Sequence, residues 1–291
     1  MTTLTMKRAT PSSPARGPRT RRVLYWIATH AIAVALSLMF VAPLVFVALT
    51  AVMSTDQTLT GDLWPDTWNW GNFAEVFARS RLLAWLGNTF LYAGLGTAFM
   101  LLSSIPVAYA MARFRFRGRR LAFLAVITMM MLPPQVVAVP VYLIWARLDL
   151  TGTLWPLILP MLFGDAFSIF LLRQFLVTIP REYTEAARVD GCSDLQTLIR
   201  VILPMARPAI AAVGLFQFFY CWNDYYGPLL YARTEENWTL SLGLASFRAL
   251  HSVQWNLTMA ATLLVMAPVI VVFFFAQKVF IEGVTLTGVK G

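Results

Sequence analysis

The densest group of side chains able to do chemistry lies between Gln217 and Tyr226, where an amide, phenols, an indole and a carboxylate interrupt an apolar run. At 100° per residue, Gln217, Tyr220 and Asp224 fall on one stripe of a helix, with Trp222 and Asn223 close by. Such a set suits a neutral polyhydroxylated ligand. Amide, phenol and carboxylate exchange hydrogen bonds with hydroxyls, while apolar ring faces lie on aromatic side chains. A second reading stays open: Trp222, Tyr225 and Tyr226 as an aromatic belt at a membrane–water boundary, with Asn223 and Asp224 capping or packing a helix end. Two other polar residues stand in apolar runs, Gln135 beside Pro133–Pro134, and Asp165. An acid in such a place is either an ion or proton site or the holder of a structural partner.

Catalytic constellations are missing. The sequence has no nucleophile elbow, no His-Glu-x-x-His and no Walker motif. Near the end, Gly283 to Lys290 superficially resembles a phosphate loop, but Lys290 does not directly follow Gly288. The two histidines, His30 and His251, do not make a His-rich metal site, so no metal is expected. Cys192 and Cys221 sit in different environments, which argues against a disulfide framework. The chain reads as one that hydrolyses no ATP and holds no cofactor of its own.

The elements that must position these residues follow from composition. A chain of 291 residues that is 58% hydrophobic and 13% charged lies far from the roughly 25% charged of soluble domains. It is expected to be an all-α membrane protein with six transmembrane helices. Residues 1–22, basic and rich in Pro, Ser and Thr, read as a disordered cytoplasmic tail. The run from Val23 to about Met53 exceeds a removable signal segment of roughly 7 to 15 apolar residues, and so reads as a retained anchor. Helices are predicted over about 24–52, 88–112, 121–146, 154–177, 209–231 and 258–281 within a membrane domain of 23–281, followed by a cytoplasmic tail of 282–291. Pro133, Pro134 and Pro140 predict a broken or kinked third helix. Trp64, Trp68 and Trp70 suit an interface outside the membrane. Eighteen of the 23 Lys and Arg residues fall on one side in this arrangement, which places both termini in the cytoplasm.

The longest charged interval in the second half, Glu185 to Pro204, lies on that same side. Gly191 suits a left-handed helix end, and Ser193 with Gln196 forms a capping-box pattern. Leu195, Leu198, Ile199 and Ile202 then repeat with helical period, and Pro204 and Pro208 are expected to close the unit. Glu185-Ala186-Ala187, three residues, Gly191, nine residues, then Val201-Ile202-Leu203-Pro204 resembles the EAA loop of ABC importer permeases. Val201 replaces the Ile of that pattern. The resemblance extends to the smaller permease subunit of maltose-type sugar importers through Asn88-Thr89 opening the second helix, Ala108-Tyr109-Ala110, Pro133, Pro140 and the stretch around Trp222-Asn223-Asp224.

The resemblance implies a type I ABC importer permease fold in a bacterial or archaeal cytoplasmic membrane. It also implies a second permease subunit, two cytoplasmic ATPase subunits that bind the ATP, and an extracytoplasmic sugar-binding protein. The loop spanning residues 180–207 would couple to the ATPases through Glu182, Glu185, Ala186, Ala187, Asp190, Gly191, Leu203 and Pro204. The C-terminal tail would reach the ATPase dimer. The expected cargo is a sugar or oligosaccharide. The alternatives are a glycerophosphodiester or polyol moved by the same architecture, or an ion-coupled transporter acting through Asp165 or Asp224.

Overall fold

A computed structural model describes residues 19–249 and 254–288. The expected disordered tail lies outside these residues up to 18, as do residues 289–291 and His251. Among the described residues all regular structure is helical. The chain divides into two compact units, residues 1–48 and 49–291.

The first unit is most of α1, Arg19–Ala51. This helix begins four residues before the expected boundary at Val23, because Arg19 to Arg22 take up its first turn. At 1.5 Å per residue it is about 50 Å long, more than a hydrocarbon core requires. Thr29, His30 and Ser37 all find backbone carbonyls within the helix, as an exposed helix in lipid requires. The Ser37 hydroxyl donates to the Ala33 carbonyl at 2.8 Å, and His30 Nδ1 lies 2.8 Å from the Trp26 carbonyl oxygen.

In the second unit, α2 (Gly71–Arg79) lies in the segment expected to be an outer loop, and α3 (Leu82–Arg113) starts six residues earlier than predicted. Asn88 and Thr89 therefore sit inside α3 rather than at its start. The expected third helix is α4 (Arg119–Met131) and α5 (Pro134–Arg147), bent by 97°. Pro134 forces extended backbone on Pro133, which has ψ 132°, and so the helix must stop and restart. The fourth span consists of α6 (Trp155–Ile158), a 3₁₀ stretch over Leu159–Phe163, and α7 (Ala166–Thr178). It breaks at Gly164, φ 88°, where an added Cβ would lie 3.1 Å from Ile169.

After α8 (Glu182–Val189) and α9 (Asp194–Thr197), a π-helical turn over Leu198–Ile202 runs into α10 (Leu203–Asn223). Pro204 and Pro208 do not close the unit. Pro204 sits in the first turn of α10, and the Leu203 N–H reaches back to Leu198, so the helix passes through both prolines from Asp194 to Asn223. The predicted fifth helix ends at Asn223 and resumes as α11 (Tyr226–Tyr231), and the loop beyond it contains α12 (Leu240–Ala249). The last helix, α13 (Trp255–Gly288), takes in residues 282–288 of the expected tail. Among the described residues, five helices are long and apolar enough to cross a membrane, or six if the bent α4–α5 pair is one span.

α3 is the central element of the second unit, packing along α7 and α10. One apolar core gathers Trp85, Tyr92, Leu157, Cys221, Trp222 and Leu240 towards the start of α3. The other gathers Met100, Tyr109, Leu172, Ile202 and Ala206 towards its end. The chemistry lies beyond each core, a cavity at the first and the charged elbow at the second.

Candidate functional site

The break between α10 and α11 is built around Asp224. Its Oδ1 accepts the Gly227 N–H at 3.0 Å, turning the chain into α11, and its Oδ2 accepts the Tyr92 hydroxyl at 2.9 Å. Its carbonyl accepts the Ser241 hydroxyl at 2.5 Å. Gly227 is required here, since a Cβ would lie 2.5 Å from Asp224 Oδ2 and 2.8 Å from Leu157. Neighbouring loops are tied across the same end. The Asn88 amide donates to the Glu236 and Trp238 carbonyls at 2.6 and 2.9 Å, Thr89 Oγ1 accepts the Leu240 N–H at 2.8 Å, and Trp85 Nε1 donates to the Glu235 carbonyl at 3.0 Å.

Beside this break lies a cavity of about 610 Å³. Its polar wall carries Tyr92, Gln135, Tyr220, Asn223, Asp224 and a run of tyrosines on α11, while prolines and aliphatic residues of α5 and α6 supply the apolar wall. No Lys or Arg lines it among the described residues. Tyr220, Asn223 and Asp224 therefore come together as the sequence predicts, and Gln135 joins them.

Gln217 and Trp222 do not. Gln217 is 6% exposed and directs its amide at the sulfurs of Met161 and Cys221, 3.4 and 3.3 Å away. Trp222 is buried against Phe90 and Phe218. Both face the helix-packing side of α10, which a helical-wheel stripe cannot tell from the cavity side. Asp165 is not at the cavity either. It caps α7, accepting the Ser168 N–H at 2.7 Å and the Ser168 hydroxyl at 2.6 Å. Tyr92 and Gly227 are the site residues missed by the sequence reading. A phenol inside an apolar helix is the signal that could have found Tyr92.

At the other end of α3, the elbow is held mainly by local bonds. Gly191 has φ 81°, and its N–H and that of Cys192 close α8 onto Arg188 and Ala187 at 3.0 and 2.9 Å. Both capping-box bonds are made: Ser193 Oγ accepts the Gln196 N–H at 3.3 Å and Gln196 Oε1 accepts the Ser193 N–H at 2.9 Å. Arg188 pairs with Asp194 at 3.0 Å, bracing α8 against α9. Thr184, Ala187, Leu198 and Ile202 face inward, whereas Glu182, Glu185, Ala186, Asp190, Gly191 and Pro204 are exposed and Leu203 is half-buried. The leucine–isoleucine stripe splits: Leu198 and Ile202 are buried, while Leu195 and Ile199 are exposed. Val189 is also exposed, at 88%.

A multi-pass helical bundle with a polar-aromatic cavity near one end and a braced charged elbow at the other defines a membrane transport component. Residues 104–285 match the family model described as the binding-protein-dependent transport system inner membrane component. The chain belongs to this family, the permeases of ABC importers. It is 30% identical over 280 residues to the arabinooligosaccharides transport system permease protein AraQ of Halalkalibacterium halodurans, covering 94% of this chain and 99% of that one. It is 34% identical over 229 residues to the sn-glycerol-3-phosphate transport system permease protein UgpE of Pectobacterium atrosepticum, covering 76% and 81%. Among solved structures, a bacterial ABC transporter involved in the import of the acidic polysaccharide alginate matches with TM-score 0.75 and 25% identity, over 92% of this chain and 99% of that one.

Proposed function

We propose that this permease passes a neutral sugar or oligosaccharide through the cavity at the α10–α11 break, driven by ATP hydrolysis in separate subunits that grip the elbow. The cavity is the observation that carries the reading. Tyrosines give flat apolar faces for sugar rings, Asn223 and Gln135 give amides for hydroxyls, and about 610 Å³ accommodates a sugar-sized solute. A phosphorylated polyol, the cargo named for UgpE, fits less well, because an anion would meet the Asp224 carboxylate and no guanidinium or ammonium there. The ion-coupled alternative loses its motive, since both carboxylates it relies on already accept structural hydrogen bonds.

The elbow supplies the coupling. Glu182, Glu185, Ala186, Ala187, Asp190 and Gly191 form the docking face, and Leu203 and Pro204 begin the helix that carries motion away. A lever braced by Arg188–Asp194 and the capping box moves as one piece. Because α10 runs unbroken from the π-helical turn to Asn223, displacement at the elbow reaches the cavity wall directly. The partners are a second permease, two ATPases and an extracytoplasmic sugar-binding protein. ATP is bound by the ATPases, and this chain needs no cofactor or metal.

Uptake by the reconstituted complex from a panel of neutral oligosaccharides and glycerol 3-phosphate tests the reading. Accumulation of a neutral sugar supports it. Uptake of glycerol 3-phosphate alone would replace the cargo, and uptake driven by a proton gradient without ATP would overturn the coupling.

A further inference from the structure

A second cavity, about 480 Å³, lies between the end of α3 and α8, apart from the cavity at the α10–α11 break. Its lining includes four guanidinium-bearing residues, Arg113, Arg115, Arg181 and Arg188, and one carboxylate, Glu185. Two of the arginines have structural duties. Arg113 donates to the Leu176 and Ile179 carbonyls at 3.0 and 2.8 Å, closing the end of α7, and Arg188 holds Asp194. The guanidinium groups of Arg115 and Arg181 make no hydrogen bond or ion pair among the described residues, although both residues line the same concavity. The wall also holds unspent hydrogen-bonding capacity: Arg113 Nε and the hydroxyl of Thr184, a residue only 6% exposed, are buried without partners.

Like charges gathered in a concavity repel one another and focus a positive potential unless an anion enters. Guanidinium forks match phosphate oxygens in geometry as well as charge. We propose that this cavity binds a phosphate-bearing anion, bridging the end of α3 and the coupling helix α8. The same chemistry is offered by the headgroup of an acidic lipid, since α3 ends here as a membrane span, and by free phosphate. A bound anion would relieve the repulsion between Arg115 and Arg181 and hold α8 against α3, setting how stiffly the lever is mounted.

The test uses the assembled transporter in lipid nanodiscs, with the double variant Arg115→Gln/Arg181→Gln and, as control, Arg117→Gln/Arg120→Gln, exposed arginines between the end of α3 and the first turn of α4 that lie outside the cavity lining. One arm counts phosphatidylglycerol retained in native mass spectra. The other follows ³¹P line broadening of inorganic phosphate over phosphatidylcholine nanodiscs. Arg115→Gln/Arg181→Gln is expected to weaken binding about ten-fold or more in at least one arm, while the control stays near wild type. A response in the lipid arm alone identifies a headgroup site; a response in the phosphate arm alone identifies a soluble anion. Equal losses in both variants would mean a diffuse basic surface and overturn the proposal. So would unchanged anion binding in the cavity variant, including the case where that variant sheds its ATPases, which would assign these arginines to subunit docking. The result is independent of the cargo.

Discussion

The two ends of α3 are stabilised by different means. At the elbow, bonds span three to six residues: Ser193 to Gln196, Gly191 to Arg188, Arg188 to Asp194. At the cavity they span the chain: Tyr92 to Asp224 is 132 residues apart, Thr89 to Leu240 is 151, and Trp85 to Glu235 is 150. A locally closed element keeps its shape while it moves, which suits a lever. A site closed by long-range bonds exists only when several spans are correctly placed, and it changes when one of them shifts. On the proposed coupling, the bundle would alter its cavity without deforming the piece that is pushed.

The largest effects are expected at glycines packed against the long-range core. A Cβ at Gly243 would run into the Trp85 ring, so Gly243→Ala is expected to cost about 3 kcal/mol by overpacking, seen as a lower thermal midpoint in detergent. Next, Asp224→Ala strands the Tyr92 hydroxyl and frees the α11 turn, costing about 2 kcal/mol. A cycle with Tyr92→Phe should give a coupling of about 0.5 kcal/mol or more, whereas additivity would remove that bond from the account. At the elbow, Gly191 has open space around it, so Gly191→Ala carries only backbone strain of about 1 to 2 kcal/mol. Ser193→Ala should cost about 1 kcal/mol, read from the exchange protection of α9 amides, with those of α3 unchanged. Equal spread of the two elbow effects into the cavity core would contradict the division into local and long-range closure.

The same division explains what could be read from the residues alone. Gly191, the capping box and the Pro133–Pro134 break are consequences of neighbours in sequence, and each stands where its local chemistry placed it. A helix end at Asn223 and Asp224 was one of the two readings the residues left open, and Asp224 does turn the chain there by accepting the Gly227 N–H. The bonds that fix the break from elsewhere, to Tyr92 and Ser241, follow from no local pattern. Gln217 and Trp222 share residue types with a sugar site but point into packing, because amide–sulfur and ring–ring contacts across spans decide which face of α10 is buried. Pro204 failed as a stop signal for a physical reason. A π-helical turn moves the hydrogen-bond register just ahead of it, so the missing N–H falls where the helix tolerates it.

In the function proposed, the polar edge of α10 meets the sugar while the elbow only transmits force. The direct measurement is ATP-driven sugar uptake by the reconstituted complex carrying Tyr220→Ala and Asn223→Ala, both cavity-lining residues whose side chains are exposed. Uptake is expected to fall about ten-fold or more, with subunit assembly and basal ATP hydrolysis intact. Wild-type uptake in that double variant would contradict the account and move the sugar path to another part of the transporter.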